Sequence, residues 1–417
     1  MAADALKAGV LTFEEARRVV EQRALFIPPP EVEAVDLLVA CGRVLAEPVV
    51  ADRDFPPFPR AARDGYAVRA EDVSQVPEHL QLIGEIKAGD LSATSLRVGP
   101  GQAAAIMTGA PMPAGADAVV MMEHTAQLPA QQVDIQRSVQ SGDNFVARGS
   151  EARAGQTLLE SGARLDHAAI AIAASVGKNR LQVFRRPRVA VLATGDEVVG
   201  LDQTPGPVQI RNSNSYSLAS QVSLAGGEPI LLPIAPDEKT RLRELIEQGL
   251  DSDLLLLAGG VSMGKFDLVE QVLGEMQMEV DFTGAMIQPG KPIVFGRCRA
   301  SVPDPHKYFF GLPGNPVSTM VTFELFVRPM LDALGGAKPR PLLFLKARLK
   351  SPVTTKTGLK RFLPAVLTGE FEDAEVERAP WQGSGDIAAM AGSNCYLVVP
   401  PDRERIEAGE WVSVMMR

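Results

Sequence analysis

GLPGNPVSTM, Gly311 to Met320, is the stretch on which the reading of this chain turns. The residues before it, HKYFF, are apolar and aromatic and predict a short strand. Those after it, TMVTFELFVRPML, place their apolar positions at helical spacing. Pro313 and Gly314 suit the two central positions of a type II turn, Pro fixing φ and Gly supplying φ > 0. Asn315 then reads as a helix N-cap and Pro316 as the first helical residue, where a missing N–H costs nothing. The chain is therefore expected to leave a strand, turn sharply, and present free N–H groups and the Ser318 hydroxyl at a helix start. Such a terminus favours phosphate or another oxyanion.

Upstream, RVAVLA (188–193), PILLPI (229–234) and DLLLLAGG (253–260) predict strands. SLASQVSLAG (217–226), KTRLRELIEQGL (239–250) and LVEQVLGEM (268–276) predict the helices between and after them. Strands alternating with helices of this length imply right-handed βαβ units and a parallel sheet. Ligands of an open parallel sheet bind outside the carboxyl ends of its strands. Three loops leave such ends: TGDE from Thr194 to Glu197, GGVSMGKFD from Gly259 to Asp267, and GLPGNPVS. Their small residues let backbone N–H groups approach a ligand, and the first two add Asp196, Glu197 and Asp267. Glycines that cradle phosphate beside carboxylates suggest a divalent cation, and Mg²⁺ suits all-oxygen ligands. Taken alone, TGDE reads equally as a capped turn. MIQPGKPIVFG (286–296) reads as strand–turn–strand with Lys291 at the turn, where an ammonium can meet phosphate as a point charge. No GxGxxG opens a helix after the first strand, and no GKS or GKT follows a Gly-rich turn, which argues against dinucleotide-binding and kinase-type phosphate loops.

The remainder divides by character. TFEEARRVVEQRALF (12–26) opens with Thr12 and Glu15 in capping-box spacing and continues as an amphipathic helix. From Pro48 to about Gly149 short alternating runs with many Gly and Pro predict a mostly β domain. Helix-like, Ala-rich sequence returns at 150–184, so the β region reads as an insertion. Short strands and turns follow Gly335 and Gly336. The expected partition is a helical stalk of 1–50 and 150–185, an inserted β domain of 51–149, an α/β domain of 186–335, and a C-terminal β domain of 336–417. Two further dense segments, PPFPRAARDGYAV (56–68) and AIMTGAPMPAGADAVVMMEHT (105–125), lie in the β region.

Composition narrows the function. A chain of 417 residues is long enough for roughly three to four domains, and 46% apolar residues supply their cores. Two Trp, four Tyr, a net charge of −9 and no dense Lys/Arg run argue against a nucleic-acid partner. An anionic ligand must then be held by local donors and not by an overall positive field. Cys41, Cys298 and Cys395, like the four scattered histidines, make no metal-ligand spacing and read as reduced thiols. Asp4 and Lys7, with no apolar run behind them, do not predict a signal peptide, and the apolar stretch at 168–177 is far short of a membrane span. A cytoplasmic protein with no membrane partner is the expectation.

Together the motifs resemble the molybdopterin molybdenumtransferase family, called MoeA in bacteria and matched by the E domain of gephyrin in animals. DGYAV, TGAPMPAGADAVV, TGDE, GGVSMG, PGKP and LPGNPVS recur in the family's order, and the likeness runs from about residue 10 to the end. It implies a helical stalk, an inserted β domain, a molybdopterin-binding α/β domain with a mostly parallel sheet, and a C-terminal β barrel. It also implies an elongated homodimer whose site lies between the α/β domain of one subunit and the β domain of the other. The implied reaction is insertion of molybdate into adenylylated molybdopterin with Mg²⁺, releasing AMP and molybdenum cofactor. Molybdopterin adenylyltransferase is the implied supplier and apo-molybdoenzymes the implied recipients.

The same resemblance implies residue roles. Asp64, Thr108, Glu197, Asp267 and Lys291 form the catalytic set, with Glu197, Asp237 and Asp267 as ligands for Mg²⁺. Arg148, Glu151, Thr194, Gly195, Asp237, Gly259, Gly260, Ser262, Pro289, Gly290, Gly314, Asn315, Ser318 and Ser384 form the substrate-binding set. Several positions depart from the family pattern. Val146 stands where an additional Arg is frequent, Glu151 replaces Asp, Gln288 replaces a Lys before PGKP, Pro364 replaces an Arg, and Ala61 replaces a Ser. Most of these remove a donor or a positive charge, so weaker oxyanion binding is expected unless Arg60, Arg63 or Lys265 compensates. Two other functions stay open on sequence: adenylylation of molybdopterin, and a non-catalytic pterin carrier or scaffold.

Overall fold

The computed structural model describes residues 9–91, 95–260, 268–298, 307–370 and 373–417. Its central sheet has six strands in the order Glu228–Leu231, Arg188–Ala193, Leu254–Ala258, Tyr308–Leu312, Val294–Arg297, Glu279–Phe282. The first four run parallel; Val294–Arg297 runs antiparallel to Tyr308–Leu312, and Glu279–Phe282 antiparallel to Val294–Arg297. Leu254–Ala258 and Tyr308–Leu312 are buried at every residue, as strands covered on both faces must be. Two apolar clusters, one on each face, do the covering. One is built on the helices Lys239–Gly249 and Leu268–Glu275, the other on Asn214–Leu224 and the run from Pro316 to Leu334. That run is helical as expected, with a π-helical turn at Phe323–Val327.

One local expectation needs correction, and one segment divides between two sheets. Gly314 lies outside the left-handed region, so Pro313–Gly314 is not a type II turn. Its small size instead lets the loop lie against its neighbour, where a Cβ would stand 3.7 Å from Gly259 Cα. The segment 286–296 is strand–turn–strand with Lys291 in the turn, as expected, but its two strands do not pair with each other. Ile287–Gln288 pairs in parallel with Lys360–Arg361 of the C-terminal domain, whereas Val294–Arg297 joins the central sheet. Pro289 and Pro292 carry no N–H for a shared ladder, and Gly290 turns the chain at φ +105, so each half pairs with a different sheet.

The inserted β region forms a six-stranded mixed sheet ordered Ala118–Met121, Gly65–Val68, Gln102–Ile106, Glu78–Ile86, Gln132–Ile135, Thr125–Leu128. The C-terminal region closes a five-stranded barrel: Lys360–Thr368, Glu375–Arg378, Phe344–Leu349, Trp411–Met416 and Cys395–Val399, which returns to Lys360–Thr368. The connecting region is less helical than its Ala-rich composition suggests. Val32–Asp36 pairs with Arg180–Phe184, and Val49–Val50 with Thr157–Leu159, around the single helix His167–Ser175. Alternation in RLQVF, with Leu181 and Val183 buried, favours a strand there. The first helix, Phe13–Ala24, has the expected capping box of Thr12 and Glu15. Its buried face joins the α/β core, and the Phe13 ring lies 6.0 Å from that of Phe326 and 5.3 Å from that of Phe362 in the barrel.

Candidate active site

The glycine loops meet at the carboxyl ends of the central strands. Thr194 N–H donates to Ala258 O at 3.1 Å, Gly195 N–H to Ala235 O at 3.2 Å, and Gly259 N–H to Leu312 O at 3.1 Å. These bonds carry the sheet one step past its strands and draw the three loops together. Gly195 sits at φ +127 with the Glu197 carboxylate folded over it, so any Cβ would collide with that carboxylate. Gly259 and Gly260 have φ of +100 and +64, and a Cβ on them would lie 3.0 Å from Thr194 O and 2.8 Å from Thr194 Oγ1 respectively. Positive φ and close approach together require glycine at these positions. Asn214, unremarked in the sequence, ties a fourth element to the cradle by donating from Nδ2 to Gly314 O at 2.7 Å. Its Oδ1 is buried without a partner. Its signal was the polar run RNSNS opening a helix.

The carboxylates divide by role. Asp196 accepts the Asp237 N–H at 3.0 Å, which makes it the capped turn that TGDE alone suggests. Glu197 and Asp237 are exposed and form no salt bridge among the described residues. They are hard oxygen donors on adjoining loops, the kind of ligand Mg²⁺ takes. Among the described residues no group of three or more His, Cys, Asp and Glu is arranged to hold a metal ion. Asp267, Ser262 and Lys265 lie outside the described residues.

Beside the cradle a cavity of about 610 Å³ opens between the α/β domain and the barrel. Gln288, Pro289, Gly290 and Lys291 form one wall, Asn315 and Ser318 another, and Arg378, Trp381 and the loop to Ser384 the third. Among the described residues two cations and no carboxylate line it. Lys291 is exposed and has no ion pair among the described residues. Gln288 Oε1 accepts from Arg361 Nε at 2.9 Å. The helix start is less open than the sequence suggests. The Val317 N–H donates to Ser384 O at 3.0 Å, so one expected free donor instead ties the barrel to the α/β domain. Asn315 holds the N-cap position without a side-chain cap bond. Arg378 and Trp381 escaped the sequence reading, although they lie immediately before the QGSGD segment it singled out.

The β-domain residues form a second group. Asp64 Oδ1 accepts from Thr108 N at 2.6 Å and from Thr108 Oγ1 at 2.8 Å. These two bonds, the backbone one first, hold its carboxyl below the usual Asp value. Arg148 and Glu151 are not free. Arg148 Nε donates to Asp54 at 2.8 Å, and Glu151 accepts from Arg60 at 2.9 Å. The Ala154 N–H and then Arg148 hold Asp54 low in turn. Ala61 is buried and Val146 pairs with Arg60 in a short ladder. Pro364 is buried in a barrel strand and does not line the cavity. Among the described residues no hydrogen bond or ion pair links Asp64, Thr108, Arg148 or Glu151 to the α/β loops.

Comparison with known proteins agrees with this architecture. Family models match the MoeA N-terminal region (domain I and II) over residues 11–177, a probable molybdopterin binding domain over 190–333, and the MoeA C-terminal region (domain IV) over 346–416. A molybdopterin molybdenumtransferase of Nostoc sp. is 38% identical over 395 residues, covering 92% of this chain and 88% of that protein. Molybdopterin molybdenumtransferase 1 of Mycobacterium tuberculosis is 34% identical, covering 95% and 98%. A molybdopterin biosynthesis MoeA crystal structure from Pyrococcus horikoshii superposes with a TM-score of 0.70 at 33% identity, covering 98% of this chain and 99% of that one. Three family models in register, relatives matched nearly end to end, and the same fold place this chain in the molybdopterin molybdenumtransferase (MoeA) family.

Proposed function

We propose that this chain is a molybdenum insertase, acting on molybdate and adenylylated molybdopterin to release AMP and molybdenum cofactor. The observation that carries the reading is a donor-lined cavity, bare of carboxylates among the described residues, beside a glycine cradle that presents Glu197 and Asp237. A tetrahedral oxyanion needs cations and N–H or O–H donors, which Lys291, Ser318 and Ser384 provide in the cavity. A pyrophosphate linkage needs close backbone approach, which Gly195, Gly259, Gly260 and Gly314 allow. The bound pterin would lie along this cradle, with the buried Asn214 Oδ1 as an acceptor for its ring N–H groups.

Glu197 and Asp237, with Asp267, would hold Mg²⁺. When bound, the ion neutralises anhydride oxygens as the P–O bond breaks. Asp64 stays ionised because Thr108 donates to it twice, and it takes the proton of the water that attacks the anhydride. Since Asp64 does not reach the α/β loops of its own chain, the β domain of a second copy would supply it. The exposed Leu25, Phe26, Leu38 and Val39 offer apolar surface consistent with such a homodimer. No helix among the described residues is long and apolar enough to cross a membrane.

The test is molybdate-dependent AMP release from adenylylated molybdopterin with Mg²⁺, followed together with metal uptake into the dithiolene. Coupled release supports the insertase. Tight pterin binding without AMP release would overturn it in favour of a carrier, and ATP formation from adenylylated molybdopterin on addition of pyrophosphate, with molybdopterin as the leaving group, would favour an adenylyltransferase run in reverse.

A further inference from the structure

Gln288 brings no charge to the cavity, but a second cation beside Lys291 enters it from a different strand. Arg378 ends the strand Glu375–Arg378 and lines the cavity together with Lys291. That strand runs antiparallel to Lys360–Thr368, with Arg378 opposite Ala365, and the Ala379 N–H donates to Pro364 O at 2.9 Å. Arg378 thus enters the wall from the strand beside the one that carries Pro364.

Its isolation is unusual among the arginines of the barrel. Arg348 lies over the Trp411 ring, Arg403 pairs with Glu410, Arg405 with Glu407, and Arg417 donates to Met390 O. Arg361, only 5% exposed, is committed to Gln288. Arg378 has no hydrogen bond or ion pair among the described residues, although its neighbour Glu377 is held by Lys350 at 3.3 Å. Two further observations point to an acceptor ligand in the same cavity. The Trp381 Nε1–H is buried without a partner. Gln288, with its oxygen taken by Arg361, has only its amide N–H groups left to offer. An unpaired guanidinium, an orphaned indole N–H and an Arg-backed amide, around a space that no carboxylate among the described residues lines, are matched by one ligand class, a tetrahedral oxyanion.

We propose that Arg378, beside Lys291, is an oxyanion-binding cation of this cavity, assisted by Trp381 and Gln288. The inference rests on the insertase reading for its substrates. Molybdate and the phosphate of the adenylylated pterin share this chemistry, so the test separates them.

The full chain and its Arg378→Ala, Arg378→Lys, Trp381→Phe and Arg378→Ala/Gln288→Lys variants are compared by steady-state AMP release with each substrate varied. Melting temperatures check that the variants fold. Arg378→Ala is expected to raise the KM for molybdate on the order of tenfold or more with little change in kcat, the loss typical of a hydrogen bond to a charged group. Arg378→Lys should recover part of this, since Lys keeps the charge and loses the fork. Gln288→Lys added to Arg378→Ala should restore affinity, which repair of mere structural damage would not do. A rise in the pterin KM alone would assign Arg378 to the phosphate and uphold its oxyanion role. Wild-type turnover with neither KM moved by Arg378→Ala overturns the proposal and leaves the insertase reading intact. If the wild type does not turn over, that reading fails, and calorimetric titration of wild type and Arg378→Ala with molybdate alone decides on Arg378: equal affinities overturn its role and weaker binding by the variant upholds it.

Discussion

Asp64 shows how a surface carboxylate is kept ready for chemistry without burial. Two bonds from Thr108 lower its pKa, so its ionised form persists to a pH below the ordinary Asp value of about 3.9. A depressed folded pKa contributes stability above the unfolded value and loses it as pH falls through the folded value. The acid limb of turnover assigned to Asp64 should therefore lie below about 3.9, and Thr108→Val should move it upward, which a pH–rate profile would show. Asp64→Asn should abolish AMP release while pterin binding, followed by fluorescence, survives; unchanged turnover would remove Asp64 from the mechanism. Gly290 makes a separate prediction. At φ +105, with a Cβ placed 2.5 Å from Thr322 Cγ2, Gly290→Ala should cost roughly 1–3 kcal/mol in denaturant unfolding. The sequence marked Asp64, Thr108 and the glycines because their types are chemically committed. It could not show that Arg148 and Glu151 are already engaged, since Asp54 and Arg60 lie about 90 residues away along the chain.

Among the elements, the βα alternation was legible because each strand and helix carries its own period. The first helix illustrates what periodicity conveys and what it leaves out. Its capping box follows from local spacing, and Thr12→Ala should cost about 1 kcal/mol. Its destination does not follow from spacing. Phe13, Ala16 and Val20 pack in the α/β core, and the Phe13 ring also touches Phe362 of the barrel. Phe13→Ala should thus cost about 3–5 kcal/mol and loosen the contact between these domains, which hydrogen exchange in Lys360–Thr368 would report. Protection unchanged there would show that the helix does not brace the barrel. The segment 286–296 shows the same limit: its strand–turn–strand order was legible, its pairing was not. Its two apolar runs look like hairpin partners, but prolines leave each run better satisfied in a different sheet.

For the molecule as a whole, the cradle and cavity belong to one pair of domains and the Asp64–Thr108 group to another. If the working site forms between two copies, mixing Asp64→Asn chains with Glu197→Gln chains should regenerate up to about a quarter of wild-type sites after subunit exchange, by random pairing of protomers. No recovered AMP release in verified heterodimers would place both groups in one subunit or exclude a shared site.

By itself the sequence determined the alternation of strands and helices around the central sheet, the capped first helix and the glycine loops. These depend on residue types and spacings within about ten positions, which the chain carries wherever it folds. Only the tertiary structure decided which donors face the cavity, that Val317 N–H is given to Ser384, that Arg361 backs Gln288, and that Arg378 stands unpaired beside Lys291. Those outcomes rest on contacts between segments dozens of residues apart or more, where burial and hydrogen-bond competition, and not local propensity, choose the partner.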